Sequence, residues 1–169
     1  MIKATVRGIL PFRWRYILLP TTILFLSILL SVYFYHLLPD FVAYHFKSDG
    51  SGDRWLNREA IIALAVVPQI ILTLVGGCFT WGITKLGARF SQGKNAKMKT
   101  EEILLIMGNM IVLPQVIFCF AMLDIFSYNS YQIHIMPVWL FALIIMVLGG
   151  IILGILFARI ILKTLRTEQ

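Results

Sequence analysis

Charged residues are scarce in this sequence. Of its 169 residues, 14% are Asp, Glu, Lys or Arg and 59% are hydrophobic, which gives a mean hydropathy of +0.86. In soluble domains about a quarter of the residues are charged and nearer half are apolar. The shortage of charge excludes an ordinary soluble domain, and the long apolar runs predict an integral membrane protein.

The residues and motifs of common catalytic sites are also few. The chain has two cysteines and three histidines, and it lacks GxSxG, SxxK, HExxH and Walker-type motifs. Cys78 and Cys119 fall at different depths of their predicted helices, farther apart than the ~7 Å Cα separation that a disulfide tolerates. We therefore predict no disulfide, no cofactor, no bound metal and no enzymatic activity.

Four apolar runs are long enough to cross a bilayer. At ~1.5 Å per residue, each exceeds or matches a hydrocarbon core of roughly 30 Å. The predicted spans are residues 16–38, 61–84, 103–126 and 137–162. The runs do not alternate as barrel strands do, so they predict helices. The first run exceeds the roughly 7 to 15 apolar residues of a signal peptide, so we expect it to be retained.

The predicted fold class is therefore an all-α integral membrane protein. Residues 1–169 would form one four-helix transmembrane bundle, with a structured extracellular loop at residues 39–60 between helices one and two.

The distribution of Lys and Arg predicts the orientation. Twelve of the fifteen lie in the N-terminal tail, the loop at residues 85–99 and the C-terminal end, whereas Lys47, Arg54 and Arg58 lie on the other side. Cytoplasmic loops carry the excess of Lys and Arg, so both termini are predicted to face the cytoplasm of a cell membrane. Attraction to the lipid bilayer accounts for the net charge of +7, and no nucleic-acid partner is expected.

The most polar stretch is LPDFVAYHFKSDGSGDRW, residues 38–55, directly after the first span. Its side of the membrane collects all three histidines and five of the eight acids. The predicted outer polar cluster consists of His36, Asp124 and His134. An acid near the end of a span needs a partner, and for Asp124 the candidates are Arg54, Arg58 or a histidine of this face.

The polar loop has three possible interpretations: a calcium loop, a zinc site and a folded cap. DGSGD resembles the start of a calcium loop, but its sixth and twelfth positions hold Arg54 and Ala60 instead of Gly and Glu. A zinc site built from His45, His134 and Asp124 remains an alternative. The favoured reading is a folded cap, in which glycines turn the chain and His45 and Asp53 hold it by hydrogen bonds.

The stretch also resembles a family signature, LPD-x-(I/V)-P-x-HF-x-x-x-G-x-x-D-x-W-x-x-K. That signature marks a membrane domain of unknown function found at the N-terminus of SdpI-like immunity proteins of Gram-positive bacteria. The resemblance covers roughly residues 30 to 75. Two positions depart from it: Ala43 replaces the second proline, and Arg58 replaces the final lysine. The resemblance implies that the recognition residues are Pro39, Asp40, His45, Phe46, Gly50, Asp53, Trp55 and Arg58.

Small and polar residues within the spans predict helix contacts. Gly150, Gly154 and Ala158 form a small-residue stripe that lets another helix approach closely, either within the bundle or in a homodimer or partner subunit. Gln69 and Gln115 each follow a proline and can hydrogen-bond across helices.

We therefore expect a non-enzymatic bacterial membrane protein of the SdpI-like immunity and signalling type. It would recognise a ligand, a peptide or an envelope protein at its outer loop, and a cytosolic or membrane partner at the basic loop. The alternatives are an accessory subunit of a transporter or envelope complex and, with less support, a metal-dependent membrane enzyme.

Overall fold

The computed structural model describes residues 14–47, 50–90 and 104–167. The described chain is mostly helical, and four of its helices are long and apolar enough to cross a membrane. The elements are a 3₁₀ turn (Trp14–Tyr16), α1 (Leu18–Tyr35), β1 (Phe41–Phe46), β2 (Gly52–Asn57), α2 (Arg58–Phe90), α3 (Val112–Tyr131) and α4 (Val138–Thr167). Residues 104–109 are also helical and, after a turn at 110–111, continue into α3 as one candidate span, Leu104–Tyr131.

The all-α prediction is wrong in one element, because the polar loop contains a β-hairpin. Strands β1 and β2 pair antiparallel in a two-stranded sheet, with irregular register between Ala43 and Phe46. The β1 sequence, FVAYHF, is rich in the aromatic and β-branched residues that favour strands. Gly50 closes the turn at φ +84°, a conformation that glycine adopts without steric cost, and its N–H donates to the Lys47 carbonyl at 3.0 Å.

The hairpin is built into the apolar core at one end of the helices. We call this the hairpin end; it also contains the C-termini of α1 and α3 and the N-termini of α2 and α4. One cluster of buried residues joins the hairpin to three helices: Phe34, Leu38, Val42, Ile61, Met122 and Phe126. Val42 of β1 is fully buried, so the hairpin is part of the fold and not a projecting loop.

Polar side chains link the helices deeper in the structure. The Ser27 hydroxyl on α1 lies 2.9 Å from Gln69 Oε1 on α2. Gln115 of α3 donates from Nε2 to Thr73 Oγ1 at 2.8 Å and to the Gln69 carbonyl at 3.2 Å. Both glutamines are fully buried. The prediction that Gln69 and Gln115 hydrogen-bond across helices is confirmed.

Helix α4 packs along one side of α3. Phe141 stacks on Phe120 with ring centroids 3.8 Å apart, and a Cβ built on Gly149 would lie 2.5 Å from Leu113 Cδ2. The apolar window of this span is only 6% buried, against 17–28% for the other three.

The contacts of α4 correct one alternative for its small-residue stripe. Gly150, Gly154 and Ala158 are exposed. Among the described residues, and apart from the nearby backbone of α4 and the adjacent residues, no atom lies within 4 Å of a Cβ built on Gly150 or Gly154. Gly149, one residue away on a different side of the helix, makes the close contact inside the bundle. Contact with another molecule is therefore the alternative that stays open for the stripe.

Candidate functional site

The hairpin presents a hydrogen-bonded His–Asp pair between its strands. His45 Nδ1 of β1 lies 2.5 Å from Asp53 Oδ1 of β2, as the folded-cap prediction required. The hydrogen bond from His45 lowers the pKa of the Asp53 carboxyl below its ordinary value of 3.8. The His45 side chain is 57% exposed, so this pair faces the surroundings of the hairpin.

Arg58 ties the hairpin to the end of α1. Its Nη1 donates to the carbonyls of Leu38 and Tyr35 at 3.3 and 3.4 Å, and its guanidinium lies over the Tyr35 ring, 4.6 Å from the centroid. A cation at a helix C-terminus also complements the helix dipole. The Asp40 carboxylate oxygen Oδ1 is 3.6 Å from Arg58 Nη2. The backbone N–H of Arg58 donates to the backbone carbonyl of Asp40 at 3.0 Å. Arg58 therefore positions the chain where it enters and leaves the hairpin.

Asn129 of α3 holds the first strand. Its Nδ2 donates to the Ala43 carbonyl, and its Oδ1 accepts from the Ala43 N–H, both at 2.8 Å. The same Nδ2 also donates to the Ile125 carbonyl at 2.8 Å. Ala43 is fully buried, so its two backbone groups depend on this amide in place of water.

A second contact holds the end of β1 against the segment between α3 and α4. Asp124 is buried, and its carboxylate accepts from His134 Nδ1 at 3.1 Å and from the Ile135 N–H at 2.8 Å. The His134 ring stacks on Tyr128, with centroids 4.4 Å apart, and meets the Phe46 ring edge-to-face at 4.6 Å. The partner expected for Asp124 among the histidines is therefore His134, and Phe46 joins this pair to the hairpin.

The structure does not bring all predicted site residues together. His36 caps the C-terminus of α1 and contacts the Tyr35 ring, away from the Asp124–His134 pair in the described contacts. Pro39 is exposed in the segment that ends α1, and Trp55 is 55% exposed on β2. Asp49 lies outside the described residues, as do Lys94, Lys97 and Lys99 of the basic loop.

The proposed zinc ligands divide between two pairs. His45 lies beside Asp53, whereas His134 lies beside Asp124. In the part of the chain that the structure describes, no group of three or more His, Cys, Asp or Glu side chains is placed to hold a metal ion.

Two side chains that hold the site in place were not predicted from the sequence. One is Asn129, and the other is Asn57, whose Oδ1 accepts from the Ala60 N–H at 3.2 Å and caps α2. The signal for Asn57 was present, since Asn precedes Arg-Glu and an apolar run. For Asn129 the signal was a side-chain amide near the end of a span. Such amides hydrogen-bond across helices, as was predicted for Gln69 and Gln115.

Comparison with protein-family models gives a match to part of the chain. A family model described as a domain of unknown function (DUF1648) matches residues 22–68, which include most of α1, the hairpin and the start of α2. No curated protein matches the chain, and no solved structure matches it. The matched segment overlaps the residues that carry the signature resemblance and confirms a domain of unknown function there.

Proposed function

We propose that this protein is a non-enzymatic, multi-pass protein of a bacterial cell membrane that recognises a peptide or another ligand through the hairpin. The observation that carries the proposal is the way the hairpin is mounted. Asn129 fixes the middle of β1 and His134 contacts its end, while His45, Phe41 and Trp55 remain largely exposed. A recognition surface is most effective when it is held rigid before its ligand arrives.

The basic residues support an extracellular position for the hairpin. Twelve of the fifteen Lys and Arg residues belong to the opposite end of the four helices or to the segments connected to it. By the positive-inside rule that end faces the cytoplasm, with both termini. Ligands of the hairpin would then come from outside the cell.

The resemblance to SdpI-like immunity proteins supports the physiological role. In that reading the chain protects its cell against a toxic secreted peptide and signals across the membrane. The signature residues His45 and Asp53 form the exposed pair on the hairpin, where an arriving peptide would meet them. The basic loop at residues 85–99 would offer the docking surface for a cytosolic partner.

The test is a survival assay in bacteria that express the full chain and are exposed to a panel of membrane-active peptides. Wild type should raise survival against at least one peptide relative to an empty vector. The double variant His45→Ala/Asp53→Ala should lose that protection at equal membrane abundance. Leu74→Ala, at a 62% exposed position on α2 away from the hairpin, is the matched control and should protect normally.

Two results would contradict the proposal. Survival equal to that of the vector for every peptide would remove the immunity role. Protection that persists in the double variant would remove the hairpin as the recognition surface.

The open glycine stripe on α4 favours a second candidate function, that of an accessory subunit in a transporter or envelope complex. A Cβ built on Gly154 meets no described atom within 4 Å, so a partner helix could approach closely there. Gly154→Leu should then abolish co-purification of an integral membrane partner and leave the unfolding temperature unchanged. Unchanged co-purification, or no membrane partner with wild type, would count against this function.

A further inference from the structure

The face between α1 and α2 carries an apolar groove with a volume of about 430 Å³. Its walls are mainly aliphatic, and its lining residues include Ile28, Val32, Ile62 and Val66. From Ile28 to Tyr35 the groove runs about 10 Å along α1 at helical rise. This length and composition suit part of a lipid acyl chain that lies parallel to the helices.

The groove reaches charged side chains at the hairpin end. Tyr35 and Glu59 line it there, and the Arg58 guanidinium covers the Tyr35 ring. The Glu59 carboxylate is 63% exposed and lies 4.0 Å from Arg58 Nε, beyond hydrogen-bond distance. The Asp40 carboxylate is 88% exposed, at 3.6 Å from Nη2. Glu59 therefore lines the end of the apolar groove, and the Arg58 guanidinium, with Asp40 beside it, adjoins that end through the Tyr35 ring.

We propose that this groove is a binding site for a phospholipid whose headgroup combines a phosphate with a primary ammonium, as phosphatidylethanolamine does. One acyl chain occupies the groove between α1 and α2. The phosphate binds Nη2 of Arg58, whose Nη1 is already committed to the backbone carbonyls at the end of α1. The ammonium donates to the Glu59 carboxylate, with Asp40 adding a second negative charge.

The charges at the groove favour this headgroup over the alternatives. An anionic headgroup without an ammonium would place its phosphate near two carboxylates against a single guanidinium, and like charges repel. A choline headgroup has a cation but no N–H to donate to Glu59. A primary ammonium supplies both the positive charge and the hydrogen bonds, and charge-assisted hydrogen bonds are the stronger class. This site shares Asp40 and Arg58 with the signature residues but does not include the exposed His45–Asp53 pair, so the inference does not depend on recognition at that pair.

The test measures lipids retained by the full chain. The protein is reconstituted in phosphatidylcholine nanodiscs that contain equal amounts of phosphatidylethanolamine and phosphatidylglycerol with identical acyl chains. Native mass spectrometry then counts the lipids that remain bound after release. We expect bound phosphatidylethanolamine to exceed phosphatidylglycerol about tenfold, the ratio that corresponds to 1.4 kcal/mol.

Three variants locate the site. Val66→Trp fills the groove and should remove the excess, whereas Leu74→Trp places the same bulk on an exposed α2 position outside it and should retain the excess. Glu59→Gln tests the ammonium contact without adding volume. It should reduce the excess to less than about twofold, a difference below roughly 0.5 kcal/mol, and Glu59→Asp should restore most of it.

Several outcomes would overturn the proposal. Equal retention of the two lipids by wild type would mean general lipid contact, and an excess of phosphatidylglycerol would mean that Arg58 dominates. An excess that survives both Val66→Trp and Glu59→Gln would place the lipid elsewhere. If Val66→Trp does not retain wild-type helicity, the Glu59 pair alone decides.

Discussion

The side-chain amide of Asn129 makes the two hydrogen bonds to Ala43 that a neighbouring strand would make. It donates to the Ala43 carbonyl and accepts from the Ala43 N–H, both at 2.8 Å. A helix side chain thus takes the place of a third strand beside β1. This contact attaches the hairpin to α3.

Asn129→Leu should destabilise the protein. The substitution leaves the buried N–H and carbonyl of Ala43 without partners, at a cost of about 1–3 kcal/mol for each group. The measurement is the free energy of unfolding in detergent micelles. Ser130→Ala is the control, because that hydroxyl makes a long, exposed contact of 3.5 Å with the Leu37 carbonyl and should change the free energy by less than about 0.5 kcal/mol. Equal losses in the two variants would mean that the Asn129 amide is not the anchor.

Ala43→Pro should destabilise less than Asn129→Leu. Proline is the residue that the resembling signature has at this position, and it removes the N–H donor together with one of the two bonds to Asn129. We expect a loss of about 0.5–1.5 kcal/mol, because no buried donor is left unpaired. The double variant Ala43→Pro/Asn129→Leu should lose less stability than the sum of the two single losses, since both changes break the same contact. Full additivity would show that the two residues act independently.

The Asp53–His45 pair should make the hairpin sensitive to acid. Because the hydrogen bond lowers the pKa of Asp53 in the folded state, its stabilisation is fully present above the ordinary value of 3.8 and is lost as the pH falls through the lowered pKa. Carbon NMR of the Asp53 carboxyl should show a midpoint below 3.8 in wild type. In His45→Ala the midpoint should move up toward that value. Identical midpoints in the two proteins would exclude the hydrogen bond as the cause.

A larger side chain should destabilise the protein at Gly149 but not at Gly150. Gly149→Leu forces a side chain against Leu113, where even a Cβ would lie at 2.5 Å, so overpacking should cost about 1–3 kcal/mol and displace α4. Gly150→Leu enters open space among the described residues and should leave the unfolding temperature of the monomer unchanged. If both variants unfold at the same temperature, the contact of α4 with α3 is not the one described.

The four helices could be predicted from the sequence because long uncharged runs respond to one constraint, the thickness of a bilayer. Their ends were harder to place. The first span was predicted to end at Leu38, but α1 ends at Tyr35, and the following turn leads into Leu38-Pro39. The residue before a proline is biased away from helical geometry, so the sequence Leu38-Pro39 already indicated that the helix ends before Leu38.

The folded cap and its glycine turn could be predicted from the sequence, but the two strands that flank the turn were not predicted. Asp49-Gly50 is a common turn dipeptide, and FVAYHF before it favours a strand. The second strand, GDRWLN, contains Gly, Asp and Asn, which are depleted in strands, so its sequence alone does not indicate a strand. The pairing of His45 with Asp53 could be predicted because eight residues and a turn separate them. The contact of Ala43 with Asn129 could not, because 86 residues separate them and a single sequence carries no record of such contacts.

That separation also sets an order of events when the chain is made. The hairpin can form as soon as residue 57 has been synthesised, but its anchor is produced 86 residues after Ala43. At roughly 5–20 residues per second, the ribosome needs about 4–17 s to supply Asn129. Throughout that interval the Ala43 backbone groups have water in place of the Asn129 amide as their partner. The hairpin therefore docks on α3 only after the third span has been translated.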